Sequence, residues 1–291
     1  MDRSKLAKKA YYLHLNARTL AEGMKAGAFK SLYKGHGMEF RGVREYFHGD
    51  DVRMIDWNVT ARMGRPFVKE FDEERELDVF LLLDLSPSMF TGNGKQNRAE
   101  SALECAALLT LASLQNASPV GAAIFGGDIA FSCAPKAGRE QAFLLLSQFE
   151  KQTKPILGGS VLDNALQGAD CLLKKRSLVL IFSDFRTSGW SVPFSRLAKK
   201  HDVIAVRISD GLDSYLPECG TLPFFDSESG KRLLIPTHLQ SLKNEWSDAN
   251  YHHIELWKHE CVRHGGIPLL IDTNSDPAAE LTKFFASRES I

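Results

Sequence analysis

The chain has 291 residues, 44% hydrophobic and 25% charged, proportions ordinary for a soluble globular protein with room for one large domain and a smaller companion. Lys plus Arg and Asp plus Glu number 36 each, so no global field points to nucleic acid or to an anionic membrane surface. No apolar run approaches the ~18 residues of a membrane span, and Met1-Asp2-Arg3-Ser4-Lys5 leads into a mixed helix rather than a signal-peptide core.

Residues 4–25 carry Leu6, Tyr12 or Leu13, Leu20 and Met24 at helical spacing, with Gly23 and Gly27 at the end. Residues 35–76 read as a small β element. Phe40 to Phe47 alternates apolar with charged residues, as a strand with one covered face does. Gly49 turns the chain, and Asp50 is the expected N-cap of a short helix carrying Ile55 and Trp57. Pro66 to Phe71 alternates again as a second strand. Arg44, Arg53 and Arg62 are expected to pair with Asp50, Asp51 and Asp56. So many arginines would hold those carboxylates ionised, which argues against an acid/base role.

From Val79 onward strands alternate with helices. Val79 to Leu83 is a continuous apolar run, the pattern of a strand buried on both faces of a parallel sheet. Asp84, Ser86 and Ser88 follow, and Pro87, Gly92 and Gly94 keep that stretch in a loop before a helix from about Asn97 to Gln115. Val120 to Phe125 and Ile129 to Cys133 form a hairpin across Gly126-Gly127-Asp128. Helices near 138–150 and 161–172 flank Gly158-Gly159-Ser160. The strand Leu178 to Phe182 ends in Ser183-Asp184. Further strands lie at Val203 to Ile208 and Ile267 to Ile271, with a hairpin across 226–230 and a long polar helix reaching Arg263. The expected fold is α/β: a doubly wound, mostly parallel sheet with a small N-terminal helix plus β element, divided at 1–76 and 77–291. Its switch point falls between the strands ending at Asp84 and Asp184, where open α/β sheets bind ligands.

Oxygen groups without His or Cys suit a hard divalent cation rather than zinc. Asp84-x-Ser86-x-Ser88 at a strand end resembles the metal-ion-dependent adhesion site (MIDAS) of von Willebrand factor A domains. The resemblance implies two more ligands, a hydroxyl after a Gly pair and an Asp ending a later strand. Ser160 and Asp184 match in order and spacing, with Ser160 where Thr is usual. Ser keeps the hydroxyl but lacks the methyl that restricts the rotamer. The metal set is therefore Asp84, Ser86, Ser88, Ser160 and Asp184, holding Mg²⁺ or another divalent cation, Mn²⁺ or Ca²⁺.

The run Arg44-Glu45-Tyr46, Gly49-Asp50-Asp51, Arg53, Ile55-Asp56-Trp57 and Thr60-Ala61-Arg62 just upstream resembles the bacterial family called DUF58. That resemblance implies a von Willebrand A-type domain and a partnership with MoxR-type AAA+ ATPases as an adaptor or chaperone-like factor. The expected protein is a binding module, not an enzyme, whose cation takes a partner's carboxylate. Residues 35–76 would offer a second surface.

Competing signals are weaker. Gly92-Asn93-Gly94-Lys95 fails the phosphate-loop pattern, because Met89 replaces the first Gly and Gln96 follows the Lys. A metal-assisted phosphohydrolase using Asp84 is the alternative, but Ser86 stands where such an enzyme of the haloacid-dehalogenase type has its general acid. His252, His253, His259, Cys261 and His264 crowd one helix without an i, i+4 His pair. Cys105, Cys133, Cys171, Cys219 and Cys261 are odd in number, dispersed and without a Cys-x-x-Cys pair, as reduced thiols of a cytoplasmic protein would be. Peripheral contact with a membrane is compatible with this reading.

Overall fold

A computed structural model describes residues 16–24, 37–74, 77–92, 96–217, 219–225 and 232–287. The chain falls into two compact units: residues 78–291 together with the helix α1 (residues 16–24), and a smaller unit within 29–77. The rest of the helix expected over 4–25 lies outside the described residues. Within the larger unit, Asn116 Nδ2 donates to the Ala21 carbonyl at 3.0 Å.

The smaller unit is built from β1 (Gly37–Glu45), α2 (Trp57–Met63) and β2 (Phe67–Glu74). The strands pair antiparallel, with a register shift between Phe40 and Gly42. Arg44 grips Asp50 with both guanidinium nitrogens, at 2.7 and 2.8 Å. That pair, with the Phe47 amide donating to Asp50, holds the Asp50 carboxyl at about 2. The other expected pairings differ. Asp50 is not a helix cap, because Arg44 occupies it. Asp51 instead accepts from the Arg53 amide and caps a 3₁₀ turn. Asp56 accepts from Asn58 and Val59 and caps α2. A short side chain next to free helix amides finds them before it finds a distant guanidinium.

The larger unit contains β3 (Val79–Asp84), α3 (Arg98–Gln115), β4 (Val120–Phe125), β5 (Ile129–Lys136), α4 (Arg139–Lys151), α5 (Leu162–Leu172), β6 (Leu178–Ser183), α6 (Ser191–Lys200), β7 (Asp202–Ser209), the single turn α7 (Gly211–Ser214), β8 (Thr221–Phe225), β9 (Arg232–Pro236), α8 (Gln240–Arg263), β10 (Ile267–Asp272) and α9 (Pro277–Ala286). Six strands form the central sheet in the order β10-β7-β6-β3-β4-β5. Only β5 runs antiparallel, to β4. This is the mostly parallel, doubly wound sheet expected from the sequence. β3 and β6 are buried at every position, as their unbroken apolar runs require. Phe80, Leu82, Val179, Ile181, Val203 and Ala205 pack beneath α5, α6 and α8. On the other face α3 packs with α4 and α9.

The start of α3 is locally coded: Asn97 and Glu100 form a reciprocal capping box. β8 and β9 pair as the expected hairpin, with its turn outside the described residues. The five cysteines are free. Among the described residues no helix is long and apolar enough to cross a membrane.

Candidate functional site

β3 and β6 are parallel neighbours, with Leu83 opposite Phe182. The chain leaves β3 for β4 and β5 on one side and returns to β6 on the other. The switch point therefore lies where Asp84 meets Ser183-Asp184. Asp84 Oδ1 accepts from the Ser86 amide at 3.0 Å. Its Oδ2 accepts from the hydroxyls of Ser160 at 2.9 Å and Ser183 at 2.7 Å. Pro87–Phe90 forms a 3₁₀ turn where an open loop was expected, with Pro87 fixing its first residue. The turn brings the Ser86 and Ser88 hydroxyls to 3.2 Å from each other. Hydrogen bonds thus join Asp84, Ser86, Ser88 and Ser160.

Asp184 stands apart from that network. Its Oδ1 accepts from the Arg186 amide at 3.2 Å. Its Oδ2 is buried and has no hydrogen-bond partner. Burial, and then the charge of Asp184, hold the Asp84 carboxyl above the usual carboxylate range. Two carboxylates and three hydroxyls, one carboxylate oxygen unsatisfied, form an oxygen-only donor set whose chemistry fits a hard divalent cation.

The Ser160 loop is held by backbone contact. Ile156 N donates to Leu85 O at 2.9 Å and Val161 N to Gly126 O at 2.8 Å. A Cβ on Gly127 would overlap the Leu157 carbonyl and reach within 2.6 Å of Gly158 Cα. Backbone cannot give way as a flexible side chain can. Gly127→Ala is expected to displace the Ser160 loop and to lower stability by about 1–3 kcal/mol. Urea unfolding checks the second effect, and unchanged stability would mean that the contact is dispensable.

Phe185, directly after Asp184, holds a left-handed φ of 52°. A non-glycine residue there carries strain of order 1–3 kcal/mol. The Phe185 amide donates to Ser183 Oγ at 3.1 Å, and its ring sits 5.4 Å from Trp190 and 5.5 Å from Trp257. Together these contacts fix the turn that carries Asp184 and Arg186.

Sequence reading missed Ser183 and a cluster of basic residues around the same turn. Arg98, only 3% exposed, donates to Asp213 Oδ1 at 2.5 Å and to the Ser88 carbonyl at 3.1 Å. Arg186 donates to the same Asp213 oxygen at 2.6 Å. Burial pushes the Asp213 carboxyl up, but Arg186 and Arg98 outweigh it and hold the group low. Arg207, on β7 opposite Ser183, is 1% exposed. Its guanidinium lies over Trp257 at 5.8 Å and donates to His253 Nδ1 at 2.8 Å. Arg cannot accept, so His253 Nδ1 must. Burial, and then the Arg207 charge, lower the pKa of that imidazole.

The other signals settle elsewhere. His264 contacts Glu260 at 3.2 Å. Cys261 is buried in the core. Residues 93–95 of the Gly-rich stretch lie outside the described residues.

A family model described as "Protein of unknown function DUF58" matches residues 42–255, from β1 into α8. The chain belongs to the DUF58 family. This DUF58 chain is 30% identical over 296 aligned residues to the uncharacterized protein Rv1480 of Mycobacterium tuberculosis, covering 99% of this chain and 91% of that one. Among solved structures it is similar to the conserved hypothetical protein BatB from Bacteroides thetaiotaomicron, at 18% identity and a TM-score of 0.47, covering 74% of this chain and 98% of that one. It is also similar to a von Willebrand factor type A protein from Catenulispora acidiphila, at 9% identity and a TM-score of 0.40, covering 77% and 44% of the two chains.

Proposed function

We propose that this DUF58 protein is a cytoplasmic protein-binding module that uses a divalent cation, Mg²⁺ for preference, to take a carboxylate from its partner. The observation that carries the reading is the buried, partnerless Asp184 Oδ2 beside the hydroxyl-rich Asp84 cluster. A buried anionic oxygen without a donor is costly unless something positive meets it. Asp84, Ser86, Ser88, Ser160 and Asp184 would hold the ion directly or through water, and such an ion supplies a coordination position for an acidic ligand. The position two residues after Asp84, where a phosphohydrolase of the alternative type has its general acid, is Ser86, whose amide donates to Asp84. We extend the reading to a MoxR-type AAA+ ATPase as the partner, on the strength of the Arg44–Arg62 resemblance. The smaller unit exposes Phe47, Val52, Trp57 and Met63, and it would supply a second docking surface.

The test is calorimetric titration of wild type and Asp184→Ala with Mg²⁺ and Mn²⁺, followed by pull-down of the ATPase in Mg²⁺ or EDTA. Wild type is expected to bind one cation and Asp184→Ala to bind it at least about tenfold more weakly. Partner capture is expected only with wild type and metal. Capture that ignores EDTA would sink the metal-bridged reading.

A further inference from the structure

The charges around Asp184 go beyond what a cation site needs. Arg207 lies close enough to feel Arg98, Arg186, Asp184 and Asp213, and Asp213 pairs with both Arg98 and Arg186, whose own amide holds Asp184 Oδ1. A cation site surrounded by arginines discourages an isolated cation and favours a cation that arrives with an anion. The three arginines are not equivalent. Arg98 is buried and also bound to Ser88 and Thr91, so it is structural. Arg207 is enclosed by His253 and Trp257. The Arg186 side chain is 46% exposed, and its guanidinium donates to Asp213 Oδ1, which it shares with Arg98. If Arg186 turns away, Asp213 keeps Arg98 and the Asp210 amide at 3.0 Å. Release of Arg186 therefore strands no buried charge. Its own amide holds Asp184 Oδ1, and the anchored Phe185 turn fixes where it stands.

We propose that Arg186 is a second anchor for the partner: its guanidinium swings off Asp213 and pairs with a further carboxylate of an acidic segment whose first carboxylate is taken at the Asp84–Asp184 site. This rests on the metal-centre reading for the first carboxylate. The guanidinium fork suits a carboxylate better than a point charge does. The partner segment would thus carry at least two acidic side chains close in sequence. Metal and acidic segment would each tighten the binding of the other, as linkage requires.

The experiment uses the full chain and a fluorescent hexaglutamate peptide, with hexaglutamine as the uncharged comparator and inorganic phosphate as competitor. Anisotropy is read for wild type, Arg186→Gln and Arg186→Lys, in Mn²⁺ and in EDTA. Mn²⁺ affinity is read separately by electron paramagnetic resonance. Arg186→Gln is expected to weaken peptide binding about tenfold or more. It should bind free Mn²⁺ as tightly as wild type or more tightly, because a neighbouring positive charge is gone. Arg186→Lys should recover part of the peptide affinity. Peptide affinity unchanged in Arg186→Gln overturns the anchor. So does phosphate binding by a protein that ignores the peptide. If wild type takes no Mn²⁺, the metal reading fails, and wild type against Arg186→Gln in EDTA still decides the arginine by itself.

Discussion

Arg98→Ala is expected to lower the free energy of unfolding by about 3–5 kcal/mol, the usual result of removing one partner of a buried ion pair. Arg98 and Asp213 are both buried and meet at 2.5 Å. The same guanidinium reaches the Ser88 carbonyl at 3.1 Å, the Thr91 carbonyl at 3.3 Å and the Thr91 hydroxyl at 2.5 Å. Truncation removes that shared donor, but the Ser88 carbonyl keeps the Thr91 hydroxyl and amide and the exposed Thr91 oxygens can turn to water, so the ion pair carries most of the loss. Asp213 retains Arg186, which moderates the loss. The turn holding Ser86 and Ser88 would loosen as well, so cation affinity should fall with stability. Arg98→Lys keeps the charge but not the fork, and an intermediate loss is expected. Chemical denaturation of the three proteins measures this directly. A loss below about 1 kcal/mol for Arg98→Ala would show that the pair only just repays its desolvation.

Asp84→Asn is expected to act in the opposite direction on the metal-free protein. Burial and the neighbouring Asp184 raise the Asp84 pKa on folding. The folded state then binds that proton more tightly than the unfolded chain, whose value is ~3.9. The associated stability is present below the unfolded pKa and is lost as pH rises through the folded one. Above the folded value, ionisation of the buried group therefore works against the fold. Asn keeps an oxygen for the Ser86 amide, and the Ser160 and Ser183 hydroxyls can rotate to accept from its nitrogen. The metal-free melting temperature is expected to rise by about 2 °C or more at pH 7, with the gain shrinking toward pH 4. Cation affinity is expected to fall by more than the ~10–100-fold seen when groups supporting a metal ligand are changed. Thermal melts across pH with and without Mg²⁺ separate the two effects. A less stable Asp84→Asn at neutral pH would mean that the three donors matter more than burial and repulsion.

These two variants mark different sources of order at one site. Arg98 contributes to the fold and to the shape of the Ser86–Ser88 turn. Asp84 contributes a buried charge that burial and the neighbouring Asp184 oppose. Strain at Phe185, held by two tryptophans, belongs with the second kind.

The doubly wound sheet was legible because its evidence is local. Val79–Leu83 and Leu178–Phe182 are apolar without alternation, and only burial on both faces suits such runs. Asn97 and Glu100 mark the start of α3 by their spacing alone. The juxtaposition of Asp84 with Ser183-Asp184 followed from topology, since both end neighbouring parallel strands. Even the hairpin at Gly126-Gly127 was readable, although its close approach to the Ser160 loop was not.

Charge pairing is where the sequence fell short. Asp50, Asp51 and Asp56 look alike on paper, yet one takes an arginine and two cap helical turns. Arg98 and Asp213 are 115 residues apart, and nothing in either local pattern announces the other. Arg207 sits in a strand pattern that gives no hint of a guanidinium buried against an imidazole and an indole. Propensity, periodicity and capping act over a few residues, so the sequence by itself determined the elements, their order and the carboxylates at the strand ends. Ion pairs are set by distances in space and by the loss of water around them. Only the tertiary structure decided which arginine is enclosed, which is shared, and that Arg186 stands half in solvent beside Asp184.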